Sequence, residues 1–258
     1  MGACDDTRVL VTGGTSGLGR AMAEALVAEG ARVVVTGRDP DRARRAAAEF
    51  GATGLGMDVR DERAVGAGVE RAAAALGGID VLVNNAGIGM RTVNPRFLTH
   101  PQSFWNVPAD GFRDVFDTKV TGCFLVARTV ARLMLGVNAG RIVNISMSTQ
   151  TMTRRGFVPY GPAGAAVEAL SRVMAADLAE SPVRVNLLLP GGATDTGMIP
   201  ENTPGTVRDR LLPASIMGPP IVWLASPEAA DVHDQRIVAT EFPQWLAACR
   251  AGGGLPPA

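Results

Sequence analysis

A glycine-rich turn between an apolar run and an amphipathic one constrains the fold more than any other feature of the chain. Residues 8–12 read RVLVT, a β-branched stretch, and residues 13–19 read GGTSGLG before the segment RAMAEALVAEG. Glycine adopts backbone conformations that side chains forbid, so the chain can leave a strand, turn sharply and open a helix within a few residues. The amides and dipole at the start of such a helix face an anion. The turn therefore predicts a dinucleotide site, with Thr12, Gly13, Thr15, Ser16, Gly17, Leu18 and Gly19 placed around a pyrophosphate.

The rest of the chain repeats this strand-then-helix rhythm. Strands are expected over 8–12, 32–36, 53–57, 81–84, 141–145, 183–189 and 235–238, and helices over 17–29, 41–50, 61–76, 109–135, 162–180 and 219–226. The alternation predicts an α/β fold of Rossmann type, a doubly wound parallel sheet of seven strands forming one domain over 1–258. Two Pro-, Gly- and Asn-rich stretches, 88–107 and 190–213, follow the carboxyl ends of strands four and six. Ligands of open α/β sheets bind at that edge, so both are expected to wall a substrate pocket. The tail over 250–258, ending GGGLPPA, is expected to be disordered.

Charge and cysteine usage narrow the partners. Lys+Arg and Asp+Glu both number 25, so no net field draws the chain to nucleic acid or to an anionic membrane, and a small-molecule substrate is favoured. No apolar run approaches the roughly 20 residues of a membrane span, and the first residues lead straight into a strand, so a cytoplasmic location is expected. Cys4, Cys123 and Cys249 are widely spaced and are read as reduced thiols. His100 and His233 have no partner at metal-ligand or triad spacing, so no metal is expected. His100 shares its loop with Arg91, Arg96, Phe97 and Trp105, which suit an acidic or aromatic substrate or pack among themselves.

The TGxxxGxG spacing from Thr12 to Gly19, together with NNAG at Asn84 to Gly87, resembles the short-chain dehydrogenase/reductase family. The resemblance implies that Asn85, Ala86 and Gly87 line the adenosine side of a nicotinamide cofactor. It also implies that Asp58, beside Val59, holds the adenine, and that Pro190 and Gly191, with Ala193, Thr194 and Thr196, complete the cofactor site. Relatives that prefer NAD usually carry an acid after strand two, where this chain has Thr36, Gly37 and Arg38. A guanidinium pairs well with a 2′-phosphate, so Arg38 points to NADP. Asp39 leaves NAD possible, as a helix cap or as an acceptor for a 2′-hydroxyl.

The same resemblance makes Tyr160, the single tyrosine of the chain, the catalytic acid/base. A phenol with an ordinary pKa near 10 needs a neighbouring cation to ionise, and relatives supply a lysine in YxxxK. This chain reads YGPAG, with Gly164 at the lysine position. The family asparagine before strand five is replaced by Lys119, which suggests that the amine has moved between helices. Met147 stands where the serine is expected, leaving Ser148, past the strand end, or Ser146 to polarise the substrate oxygen. Hydride transfer between nicotinamide and a carbonyl or alcohol is the leading expectation. A non-redox reaction on Lys119 and a nucleotide-binding relative without turnover are the alternatives. A homodimer or homotetramer is implied, joined through the helix carrying Lys119 and the helix near Pro162.

Overall fold

The computed structural model describes residues 2–201 and 203–251. The chain runs β1 (Arg8–Thr12), α1 (Gly17–Ala28), β2 (Arg32–Gly37), α2 (Pro40–Ala48), β3 (Thr53–Gly56), α3 (Glu62–Leu76) and β4 (Val81–Asn84). Next come α4 (Ala109–Phe116), α5 (Gly122–Gly136), β5 (Gly140–Ile145), α6 (Thr149–Met152), α7 (Tyr160–Asp177) and β6 (Val183–Leu189). It ends with α8 (Gly205–Arg208), α9 (Gly218–Ala225), β7 (Arg236–Val238) and α10 (Phe242–Arg250). The strands form one sheet in the order β3-β2-β1-β4-β5-β6-β7, and every pair is parallel. The order reverses between β1 and β4, which opens a crevice above their carboxyl ends.

Alternation along the strands divides the core in two. Val9 and Val11 of β1 face one side with Val33 and Val35, against Met22 and Leu26 of α1 and Ile221 and Leu224 of α9. Leu10 and Val34 face the other side, against Val65 and Val69 of α3 and Val126 and Val130 of α5. A sheet covered on both faces needs strands apolar on both faces, which is why they read as unbroken β-branched runs rather than alternating ones. Leu10 is fully buried, and truncating such a residue to alanine costs about 2–5 kcal/mol.

Two expectations about elements are corrected. The helix expected over 109–135 is broken by a π turn at Asp117–Thr121, between α4 and α5. The Thr118 hydroxyl donates to the Asp114 carbonyl at 2.7 Å across this turn. Gly122 then meets the chain after β3 closely, since a Cβ there would lie 2.7 Å from Val59 Cγ2. Wide turns of this kind carry no apolar period, so pattern reading passes over them. Of the tail expected over 250–258, only 250–251 are described. Arg250 ends α10 and pairs with Glu228 at 2.9 Å, while 252–258 lie outside the described residues. Helix α7 begins at Tyr160 rather than 162, because Pro162 lies in its first turn, where a missing N–H costs nothing.

Candidate active site

A cavity of about 910 Å³ runs along the carboxyl edge of the sheet across the point where the strand order reverses. At one end stands the glycine turn, with Gly13 and Gly17 at φ +66° and +56°. The Ser16 side chain makes no capping bond to α1, and the first turn of that helix carries no acid, so its leading amides remain free for an anion. Gly13, Thr15, Ser16, Gly17 and Leu18 line the cavity, whereas Thr12 and Gly19 stand behind them. Thr12 Oγ1 accepts from the Asn85 and Ala86 amides, both at 3.0 Å, and Asn85 Nδ2 donates to the Thr12 and Gly13 carbonyls at 3.0 and 3.1 Å. A Cβ on Gly19 would lie 2.3 Å from Asn85 Nδ2 and 2.5 Å from the Gly13 oxygen. Thr12 and Gly19 hold the turn shape from behind, while Asn85 both braces the turn and lines the cavity.

Arg38 and Arg42 line the cavity beside β2, and among the described residues neither forms an ion pair. Arg42 carried no signal of its own in the sequence. Asp39 caps α2, accepting from the Asp41 and Arg42 amides at 2.9 and 3.1 Å, and the Arg42 amide holds its carboxyl below the usual range. Thr36 also lines the cavity, and among the described residues its buried hydroxyl has no hydrogen-bond partner. Asp58 and Val59 are in the wall, with the Asp58 carboxylate paired to Arg60 at 2.8 Å and kept acidic by it. From the opposite side come Asn85, Ala86, Gly87, Pro190, Ala193, Thr194 and Thr196. Gly191 does not line the cavity: at φ +93° it passes so close to Thr240 that a Cβ would lie 2.1 Å from Oγ1.

The other end of the cavity holds the side chains capable of chemistry. Tyr160 opens α7 and packs against Met90, Phe97 and Phe157, its hydroxyl 3.8 Å from Met198 Sδ. Burial raises its pKa. Lys119, on the π turn, lies in the cavity wall rather than on an outer helix face, with Nζ 5.1 Å from the centre of the Tyr160 ring. Gly87 makes room for it, since a Cβ there would be 3.1 Å from Lys119 Cγ. Among the described residues no carboxylate pairs with the amine, and burial pushes its pKa down to about 8. The expectation that Lys119 lowers the tyrosine pKa is not matched, because the ammonium sits over the ring without a hydrogen bond to the hydroxyl, and burial dominates. Lys119 is also the only lysine of the chain, every other member of the Lys+Arg set being arginine.

The two serines differ. Ser146 donates to Glu168 Oε1 at 2.7 Å, and the same oxygen accepts from Arg236 Nε at 2.8 Å. Ser148 caps α6, sharing a hydroxyl pair with Thr151 at 2.9 Å and accepting from the Thr151 amide at 3.3 Å. Both serines line the cavity. The loops expected as walls supply Met90, Arg91, Phe97 and Leu98 on one side and Met198 and Ile199 on the other. Arg154, stacked on Phe157 at 4.8 Å, also lines it. His100, Arg96 and Trp105 do not reach the cavity. His233 joins the Val185 amide to the Ala175 carbonyl and is structural. Among the described residues no group of His, Cys, Asp or Glu suits a metal, and no helix is long and apolar enough to cross a membrane.

Comparison with known proteins agrees with this geometry. The short chain dehydrogenase family model matches residues 7–206. A 3-oxoacyl-(acyl-carrier-protein) reductase of Vibrio harveyi is 33% identical over 237 residues, covering 88% of this chain and 93% of that protein. The 3-ketoacyl-(acyl-carrier-protein) reductase of Brucella melitensis, solved with NADH, superposes with a TM-score of 0.80 at 29% identity, over 91% of this chain and 97% of that one. A short chain dehydrogenase of Burkholderia cenocepacia J2315, solved with NADP, gives 0.78 at 27% identity, over 92% and 97%. On the family match, the shared sheet order and the glycine turn, this chain belongs to the short chain dehydrogenase family of NAD(P)-dependent oxidoreductases.

Proposed function

We propose that the protein is an NADP-linked reductase of a carbonyl compound with an apolar body, and that Tyr160 donates the proton. The observation that carries this reading is the placement of the single tyrosine where the dinucleotide cavity meets the apolar pocket of Met90, Phe97 and Phe157. The residues present fit the cofactor. Free helix amides at Ser16 and Gly17 suit the pyrophosphate, and the unpaired guanidiniums of Arg38 and Arg42 suit a 2′-phosphate. Asp39 is engaged by the α2 amides, which weighs against its use as a 2′-hydroxyl acceptor. When bound, the nicotinamide supplies the hydride.

The chain's own groups handle the oxygen and the proton. A buried phenol with a raised pKa is protonated near pH 7, so in the reduction direction Tyr160 is the proton donor. The Lys119 ammonium over the ring face holds the phenol in place by a cation–π contact. The Ser146 hydroxyl is committed to Glu168, so the Ser148 and Thr151 hydroxyl pair orients the substrate oxygen. The Vibrio harveyi relative is named for 3-oxoacyl groups, and the apolar pocket of this chain suits a ketone or acyl chain of that kind. Exposed Phe112, Phe124 and Val173 on α4, α5 and α7 support a homodimer or homotetramer, and the reduced thiols suit the cytoplasm.

The test is titration with NADPH and NADH, followed by absorbance decay with a panel of apolar ketones and 3-oxoacyl thioesters. Tighter NADPH binding and turnover of at least one carbonyl are expected. Equal or tighter NADH binding overturns the NADP assignment, and tight binding without turnover overturns the reductase.

A further inference from the structure

Two of the residues that differ from the family pattern meet in space. Tyr160, Gly164 and Glu168 follow one another at four-residue spacing, so they share the face of α7 turned toward the end of β5. A Cβ on Gly164 would lie 2.6 Å from Met147 Cε, 2.7 Å from its Sδ and 3.0 Å from its Cγ. Met147 is 6% exposed, and its backbone carbonyl is held by Arg236 at 3.1 Å. Its side chain thus occupies the space that a side chain at 164 would enter, one helical turn beyond the tyrosine, and such a residue needs the thioether to swing aside within a buried site.

We propose that Met147 and Gly164 are a single interlocked exchange, in which Met147 acts as a positioning residue. It keeps a side chain out of position 164, so that Lys119 is the amine facing Tyr160. The inference rests on the family reading of the cavity, but its main readouts use the protein without cofactor or substrate. Read this way, a glycine at the lysine position and a methionine at the serine position are not independent losses. Either reversal alone meets the other residue: a lysine at 164 must displace the thioether, and a small residue at 147 leaves a hole beside a glycine.

The single tyrosine makes the consequence visible, because tyrosinate absorbance against pH reports Tyr160 alone. Alanine outranks glycine in a helix, so Gly164→Ala at an unobstructed site raises stability. The proposal expects no gain in the parent and a rise in Tm of about 2–4 °C in the Met147→Ala background. Gly164→Lys is expected to lower Tm by at least about 3 °C in the parent and by less beside Met147→Ser. The tyrosinate midpoint should fall by about one pH unit or more in Met147→Ser/Gly164→Lys, where the new amine can enter, and not in Gly164→Lys alone.

Additive Tm changes across either pair overturn the interlock, as does a tyrosinate midpoint already lowered in Gly164→Lys. Where Gly164→Lys does not fold, the Gly164→Ala cycle decides. Binding of NADPH to the parent is measured alongside: its absence sinks the cofactor reading without touching the packing result, and the packing result can fail while NADPH still binds.

Discussion

The two ends of the cavity are built from different materials. At the nucleotide end the surface is shaped mainly by backbone, the turn through Gly13 and Gly17 and the free amides of α1, held in place by the Asn85 side chain, which donates to the Thr12 and Gly13 carbonyls. At the chemical end it is side chains from three separate elements, Lys119 on the π turn, Met147 past β5 and Tyr160 on α7. A backbone site can be made in few ways, because close approach demands glycine at fixed spacing. A side-chain site can be filled from several directions, and here an amine arrives from Lys119 while position 164 is closed by Met147.

The sharpest break between the ends is a change that abolishes one and spares the other. Tyr160→Phe removes the proton donor and is expected to lower kcat/KM by about 10²–10⁴, with NADPH affinity almost unchanged. Stopped-flow turnover beside fluorescence titration checks both halves, and a loss of affinity equal to the loss of rate would show that the ends are not separable. The converse change is Arg38→Ala, expected to weaken NADPH by about 10–100-fold while leaving NADH alone, since charged hydrogen bonds contribute about 1.5–3 kcal/mol. Equal weakening of both cofactors would place Arg38 on the shared part of the dinucleotide.

Gly19→Ala probes the brace rather than the ligand surface. Its new Cβ would meet Asn85 Nδ2 at 2.3 Å and the Gly13 oxygen at 2.5 Å, and backbone cannot step aside as a flexible side chain can. A stability loss of about 1–3 kcal/mol is expected by urea denaturation, together with weaker binding of NADPH and NADH alike. Unchanged stability would mean that the glycine spacing serves the ligand directly.

What could be read from the sequence follows the same division. The central strands were legible because they are buried on both faces, and the glycine turn because its spacing is dictated by backbone contact, while the edge strands β3 and β7 carry little buried surface and were legible from the strand-then-helix rhythm. The π turn was not legible, since Asp117–Thr121 carries no apolar period of its own to mark it. Nor was the contact of Met147 with Gly164, which joins residues 17 positions apart in the numbering through packing that no periodicity encodes. Arg42 and Met198 likewise reach the cavity only through the turn of α2 and the path of the loop after β6. Lys119 was legible as a replaced residue, but its position over the ring face, and so its weak grip on the hydroxyl proton, required the fold.

The smallest expected effect concerns that amine. Lys119 titrates at 10.5 when unperturbed and at about 8 in the folded chain, so between those values the unfolded state holds more protons and stability rises with pH. Below about 8 the desolvation cost is present in full. Cys123 acts in the opposite sense above its unperturbed value of 9.0, because burial pushes the folded thiol up to about 12 and the unfolded thiol ionises first. Tyr160 adds to that opposing trend from 10.0 upward. The lysine contribution is therefore cleanest between about pH 8 and 9. Lys119→Met removes the desolvation cost and also the cation–π contact, which favours the charged form by about 0.5–2 kcal/mol, so the net change is modest. Chemical denaturation across this window should show a shallower rise of stability with pH in the variant than in the parent. Parallel curves would mean that the ammonium is solvated, and would return the chemical end of the cavity to a tyrosine without a desolvated amine beside it.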